Sequence, residues 1–292
     1  MIASRIIVMT LVLGSTYAIL ATGLALIYGV GRIINLAHTA FMMMGAYFIW
    51  FLVINLGWGF PQSIALAVVG IGLLGVVVYR FLLHRIREHH AAVLLMTIAL
   101  GMVMQELVVI MFGSTPKNIP FIISGATQIL GVLVFNQYLL ALGVSVVILI
   151  LLWLLLSKTK MGIAIRATAQ DAEVANLMGV SVSRIMTLIV GIGTALAAVA
   201  GVFLAPLEGG LVYYMWLPPL MMVLVVVILG GLGSLKGSFI AAFFVGLIQA
   251  IVLAVFPTHG YLSHAFAMLA MVIVLAVRPQ GMFGTLFEEE KL

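Results

Sequence analysis

Ser157 to Val190 reads SKTKMGIAIRATAQDAEVANLMGVSVSRIMTLIV, the longest polar interval in a chain that is otherwise almost all hydrocarbon. It carries Lys158, Lys160, Arg166, Asp171, Glu173 and Arg184, and the runs on either side of it are apolar. Asp171 is placed to cap a short helix over 172–178, because its carboxylate can accept from the free N–H groups of a first turn. Gly179 supplies a residue that can take the left-handed conformation on which such a helix stops. At ~1.5 Å per residue the helix is only ~10 Å long. Ser181 or Ser183 can cap the apolar helix that follows. The order is therefore helix, short surface helix, helix, a knob suited to docking on another protein. An ordinary solvated loop between two spans has the same composition.

The rest of the chain fixes what those flanking runs are. The 292 residues are 65% hydrophobic and 7% charged, whereas a soluble domain carries about 25% charge. The fold class is accordingly an all-α polytopic membrane protein. The net charge of +5 is spread singly between apolar runs and forms no patch for nucleic acid, so it reports topology. The absence of cysteine excludes disulfides, thiolate metal sites and a cysteine nucleophile.

A hydrocarbon core of ~30 Å needs about 20 residues of helix. Residues 6–28 meet this, with Arg5 before them and no short apolar core of the signal-peptide kind. Gly29, Val30, Gly31 and Arg32 break that run, and 33–56 follows, with Asn35 and His38 near its start and Trp50 and Trp58 at its far end. Residues 62–83 form a third span with Gly70, Gly72 and Gly75 in a GxGxxG arrangement. A dinucleotide site needs that pattern between a strand and a helix, so here it predicts close helix packing. The loop HRIREHH from His84 to His90 reads as the basic flank of a cytoplasmic turn rather than as a metal site.

Residues 91–112 are the fourth span, with Gln105 and Glu106. Residues 113–136 form an external loop folded back on the bundle. Further spans fall at 137–156, 185–205, 217–228, 238–256 and 263–277, ahead of an acidic tail. About nine spans result, or eight to ten if the glycines near 29–32 and 230–237 mark broken or re-entrant helices. With 157–184 in the cytoplasm, eleven of the thirteen cations fall inside and only Arg5 and Lys117 outside. This puts the N-terminus outside and the C-terminus in the cytoplasm. A faint internal echo links 29–47 with 230–246, each a glycine-rich break with one basic residue followed by a small-residue helix.

Chemistry is sparse. There is no Gly-Lys dipeptide, hence no Walker A loop, and Glu106 and Glu208 are isolated, so no carboxylate pair is set for acid/base work. An enzyme is not indicated.

Three separated motifs carry a family resemblance. Met161-Gly162, Ile165-Arg166-Ala167, Ala169-Gln170-Asp171, Glu173, Ala175, Leu177-Met178-Gly179-Val180 and Arg184 resemble the cytoplasmic loop of branched-chain amino acid ABC transporter permeases of the LivH type. Asn35-Leu36-Ala37-His38 with Met44-Gly45-Ala46-Tyr47, and Leu229-Gly230-Gly231-Leu232-Gly233-Ser234 with Gly237, resemble their motifs at the second and seventh spans. Glu173, Ala175 and Gly179 also match the Glu-x-Ala-x-x-x-Gly segment that docks ABC importer permeases on their ATPases, although its Leu-Pro ending is absent.

The resemblance covers essentially the whole chain and implies one transmembrane permease domain, 1–292, in the cell's inner (plasma) membrane. It implies ATPase coupling through Arg166, Asp171, Glu173, Ala175 and Gly179 in the loop 157–184. The expected partners are a second, LivM-like permease, two ABC ATPase subunits and an external binding protein, with the lipid bilayer around them and no nucleic acid. ATP and Mg belong to the ATPases, and this chain itself takes no cofactor and no metal. The substrate it implies is a branched aliphatic amino acid, with urea, short amides or sugars as alternatives.

A second function class, an ion-coupled secondary transporter, would need an intramembrane ionisable residue, and Glu106 and His38 are the candidates. Asn35, His38, Gly45 and Glu106 are the candidates for the translocation pathway. Asn35 and His38, three residues apart, share a face if the chain is helical there. They then either satisfy backbone groups freed by the glycine break or line the route near its cytoplasmic end. Glu106 is expected in the outer half of its span, too far along to pair with His38.

Overall fold

The first helix, α1, runs from Ile2 to Gly31 and is buried almost continuously from Gly14 to Ile27. In the computed structural model, which describes residues 2–283 apart from Glu88, Leu130 and Glu208, α1 is the axis of the bundle. The carboxylate of Glu208 and the acidic tail with Lys291 lie outside the described residues. Thirty helical residues reach ~45 Å at ~1.5 Å each, more than a bilayer core requires.

The sequence places the first break at Gly29 to Arg32, but the helix continues through both glycines and the break is 32–37. The reason is packing. A Cβ on Gly29 would stand 2.9 Å from the carbonyl oxygen of Gly233, and one on Gly31 would strike the Met186 methyl. These glycines let neighbouring elements approach and do not interrupt the helix. What ends α1 is Arg32, in the left-handed region at φ 53, whose N–H bonds the Tyr28 carbonyl at 2.9 Å.

Ten further helices follow among the described residues. They are α2 (His38–Asn55), α3 (Phe60–Ile86), α4 (His90–Phe112), α5 (Asn136–Lys158), α6 (Lys160–Gln170), α7 (Ala172–Leu177), α8 (Val182–Leu204), α9 (Leu217–Gly230), α10 (Leu235–Val255) and α11 (Leu262–Val277). Both α2 and α3 finish in a wide turn of π type, at Phe51–Asn55 and Tyr79–Leu83. Seven of the helices are long and apolar enough to cross a membrane. Each of the nine apolar segments picked from the sequence corresponds to one helix, but α9 and α11 have only 14 and 16 residues, ~21 and ~24 Å at ~1.5 Å per residue. The fold is an all-α membrane bundle.

Helix α1 packs most extensively on α10 and then on α8, and α8 also carries α2 and α3. Small residues make these crossings. A Cβ on Gly246 of α10 would lie 2.8 Å from the Gly14 nitrogen, and one on Gly72 of α3 lies 3.2 Å from the Gly191 carbonyl. Gly75 meets Thr194, so Gly72 and Gly75 of the GxGxxG run form the seam against α8, whereas Gly70 faces the Phe48 ring of α2. Helix α9 is apolar on all sides and buried on most of them. It stops where Gly230 meets the backbone of Gly237, and Gly231 and Gly233 turn the chain with φ 96 and 85. The end of the described chain closes this turn, Met282 N–H bonding the Leu229 carbonyl at 2.7 Å.

The loop before α5 folds back as expected but contains a β-hairpin, β1 (Ala126–Ile129) antiparallel to β2 (Val132–Phe135). Gln137 pins the loop to the bundle. Its Oε1 accepts from Ile122 N–H at 2.7 Å and its Nε2 donates to the Val202 carbonyl at 3.1 Å. A second tie joins Lys117 to Leu211 through paired backbone bonds of 2.9 and 2.8 Å. The break at 32–37 and the turn before α10 lie at one end of the bundle, and these ties lie at the other.

Candidate functional site

The polar interval folds into two helices and a turn on the α5–α8 connection. Thr159 starts α6: its Oγ1 accepts from Gly162 N–H at 2.9 Å and donates to the Leu155 carbonyl at 2.6 Å. Any side chain at 162 would strike the Leu155 and Leu156 carbonyls, so the glycine lets α6 fold tightly against the end of α5. Helix α6 buries Gly162, Ile165 and Thr168 and exposes Arg166.

Asp171 then caps α7 as its position in the sequence suggests, Oδ1 accepting from the N–H groups of Glu173 and Val174 at 2.9 Å each. At the other end Gly179 has φ 86. Its N–H bonds the Asn176 carbonyl and the Val180 N–H bonds the Ala175 carbonyl, both at 3.0 Å, the two-bond stop in which a glycine is strongly favoured. Ser181 occupies the position before α8, but its hydroxyl makes no capping bond. Ala175 is buried and seats the knob, whereas Asp171 and Glu173 are exposed. The apex is apolar: Val174 is 53% exposed, and Leu177 and Met178 are 80% exposed each. The charged residues of the loop stand out in the sequence, whereas Leu177 and Met178 give no signal there, being apolar residues in so apolar a chain.

Asn35 and His38 are both buried. Asn35 precedes α2 and lies in the break, so the two do not share a helical face. Its Oδ1 accepts from Ala37 N–H at 3.1 Å, and its carbonyl accepts from His38 N–H at 3.1 Å. The His38 Nε2 lies 3.1 Å from the Leu20 carbonyl of α1. A carbonyl only accepts, so the proton sits on Nε2, and the buried Nδ1 has no partner among the described residues. The ring rests on Gly23, where a Cβ would be 3.1 Å from it and 2.9 Å from the Gly193 carbonyl of α8. His38 thus lies where α1, α2 and α8 cross. Gly45 does similar work one level along α2, where a Cβ would stand 2.7 Å from Cα and Cβ of Ala198.

Glu106 is far from these groups. It is exposed on α4 among Met102, Val103 and Ile110, themselves 58%, 55% and 79% exposed. It lies ~24 Å along the helix from His90 at ~1.5 Å per residue. Its neighbour Gln105 donates weakly to Glu106 Oε1 at 3.3 Å and accepts from Trp216 Nε1 at 2.9 Å. The Trp216 ring lies on Gly101, 2.9 Å from a Cβ there. A partner 111 positions away leaves no trace in local sequence. A carboxylate on the outside of a span is costly in lipid.

Residues 6–275 match the family model described as "Branched-chain amino acid transport system / permease component". The chain is 28% identical over 290 residues to the "High-affinity branched-chain amino acid transport system permease protein LivH" of Escherichia coli (strain K12), covering 93% of this chain and 92% of that one. To BraD of Pseudomonas aeruginosa, of the same description, it is 28% identical over 288 residues, 94% and 93% of the two chains. To the "Probable branched-chain amino acid transport permease protein LivH" of Methanocaldococcus jannaschii it is 27% identical over 291 residues, 91% and 88% of the two chains. No solved structure matches the chain.

Proposed function

The chain belongs to the branched-chain amino acid transport system permease family, and on that premise we propose that it is the membrane subunit of an ABC importer carrying leucine, isoleucine and valine across the inner membrane. ATP and its Mg are bound by two ATPase subunits, and this chain takes no cofactor. A second, homologous permease and an external binding protein complete the assembly, and residues 1–292 act as one permease domain.

The observation that carries this reading is the knob. Asp171 and Gly179 fix both ends of α7, Ala175 seats it, and Glu173 with the Leu177–Met178 apex faces outward. Two exposed apolar side chains on a rigid, capped turn suit insertion into a partner's cleft. Arg166 stands exposed on α6, the helix before the knob, and is assigned to the same coupling loop. Orientation follows the cations. The breaks at 32–37 and 231–234 share an end with the knob, where Arg32, Lys158, Lys160, Arg166 and Lys236 gather, and we assign that end to the cytoplasm. The paired bonds between Lys117 and Leu211 agree with an external position for both.

For the pathway we propose that Glu106 faces water or the second permease, and that Asn35, His38 and Gly45 hold the inner wall of the route in register. The test of the assembly is co-purification. Leu177→Asp with Met178→Asp, directed at the apex alone, is expected to insert normally and lose the ATPase subunits. Undiminished recovery of the ATPases with this variant would refute the docking role. The substrate class is tested by competition on the cognate binding protein, where leucine is expected to bind tightly and urea or a sugar not to bind.

A further inference from the structure

We propose that a lateral groove beside the knob is a binding site for an anionic phospholipid. The groove encloses about 570 Å³ between the last turns of α1 and α5, the face of α6 that carries Ile165, Arg166 and Ala169, and the first turn of α10. Its wall is apolar, built from side chains such as Leu26, Ile150 and Leu156, and its rim carries Arg166 from α6 and Lys236 from α10. Both cations are exposed, and neither pairs with a carboxylate among the described residues, where the carboxylates are Glu106, Asp171 and Glu173. Trp153 lines the groove and is 49% exposed, one turn inside the end of α5, the depth at which indoles sit at a membrane interface.

This order along the membrane normal is that of a lipid. Cations meet a headgroup phosphate, an indole sits at the glycerol level, and an apolar trough below receives the start of an acyl chain. Lipid-facing α5 carries Ile150 50% exposed, so the trough is open to the bilayer. Basic pockets of this kind between helices select anionic headgroups. The alternative occupant, a partner subunit, would have to bring its own carboxylate into a slot open towards the hydrocarbon. The groove spans α6, so a lipid held there would brace the stem of the knob. That the leaflet is the cytoplasmic one rests on the orientation proposed above; the binding itself does not.

Native mass spectrometry of the full-length chain in detergent, loaded with equal phosphatidylglycerol and phosphatidylcholine, tests the site. Phosphatidylglycerol adducts are expected to outlast phosphatidylcholine adducts. Arg166→Gln with Lys236→Gln should weaken phosphatidylglycerol binding by roughly thirtyfold and leave phosphatidylcholine unchanged. Lys158→Gln with Lys160→Gln, which removes two nearby cations that do not line the groove, should leave both lipids unchanged. Equal retention of the two lipids, or equal losses in the two double variants, would overturn the proposal. So would a cysteine at 150 that cross-links to a partner subunit in the assembled complex. Failure of the transport reading would appear as absent ATP-driven uptake and would leave this readout untouched.

Discussion

The imidazole Nε2 of His38 bonds the backbone carbonyl of Leu20 at 3.1 Å, joining the start of α2 to the middle of α1. Eighteen residues of sequence separate them, and the break at 32–37 turns the chain back so that they meet. Replacing His38 with Ala removes the bond and opens a space against Gly23 and α8. Unfolding in detergent should become easier by about 2–4 kcal/mol. His38→Gln, which keeps a donor, should recover part of that. An unchanged melting temperature in His38→Ala would show that the crossing does not depend on the ring.

Burial of the same pair gives a second expectation. With Asn35 1% and His38 0% exposed, and no other cysteine in the chain, a cysteine at 35 or 38 should resist a water-soluble thiol reagent in the resting complex. Labelling at rest would mean that water reaches the break. Labelling that appears only in the ATP-trapped complex would assign these positions to the moving part of the pathway.

Gly45 and Ala198 test helix approach. Gly45→Leu should destabilise the bundle by about 1–3 kcal/mol through overpacking, because its Cβ would stand 2.7 Å from Ala198. Gly45→Ala should cost less, and Ala198→Gly should recover part of it. No coupling between the two sites in a double-mutant cycle would contradict the contact.

At the knob, a Cβ at Gly179 has nothing within 4 Å, so the cost of substitution there is conformational. Gly179→Val should cost about 1–3 kcal/mol locally, and Gly179→Asn should be tolerated, since asparagine adopts the left-handed region readily. Asp171→Ala should loosen the helix by about 0.5–2 kcal/mol, with Asp171→Ser close to the native chain. Substrate-stimulated ATP hydrolysis by the assembled complex is the readout. Equal activity in Gly179→Val and Gly179→Asn would argue against a shaped knob.

The spans were legible in the sequence because a single segment satisfies its own backbone groups in hydrocarbon only as a helix, so apolar run length is nearly sufficient. The knob was legible because Asp171 and Gly179 act on their immediate neighbours. Glycine misled at 29–31, since a glycine that admits a neighbouring backbone reads like one that ends a helix. The hairpin at 126–135 was hidden in apolar residues that sheet and membrane both accept. The Trp216–Gln105 bond and the Arg166–Lys236 groove depend on which helices become neighbours, and no local pattern carries that information.

This chain is expected to transport only as part of an ATP-driven assembly, and reconstitution tests that most directly. Proteoliposomes containing the chain, its second permease and the two ATPases, supplied with the binding protein and radiolabelled leucine, should accumulate leucine only when ATP is present. Omitting the ATPases, or introducing Glu173→Lys with Leu177→Asp, should abolish uptake. Leucine accumulation by the chain alone under a proton or sodium gradient, with no ATPase and no ATP, would contradict the account.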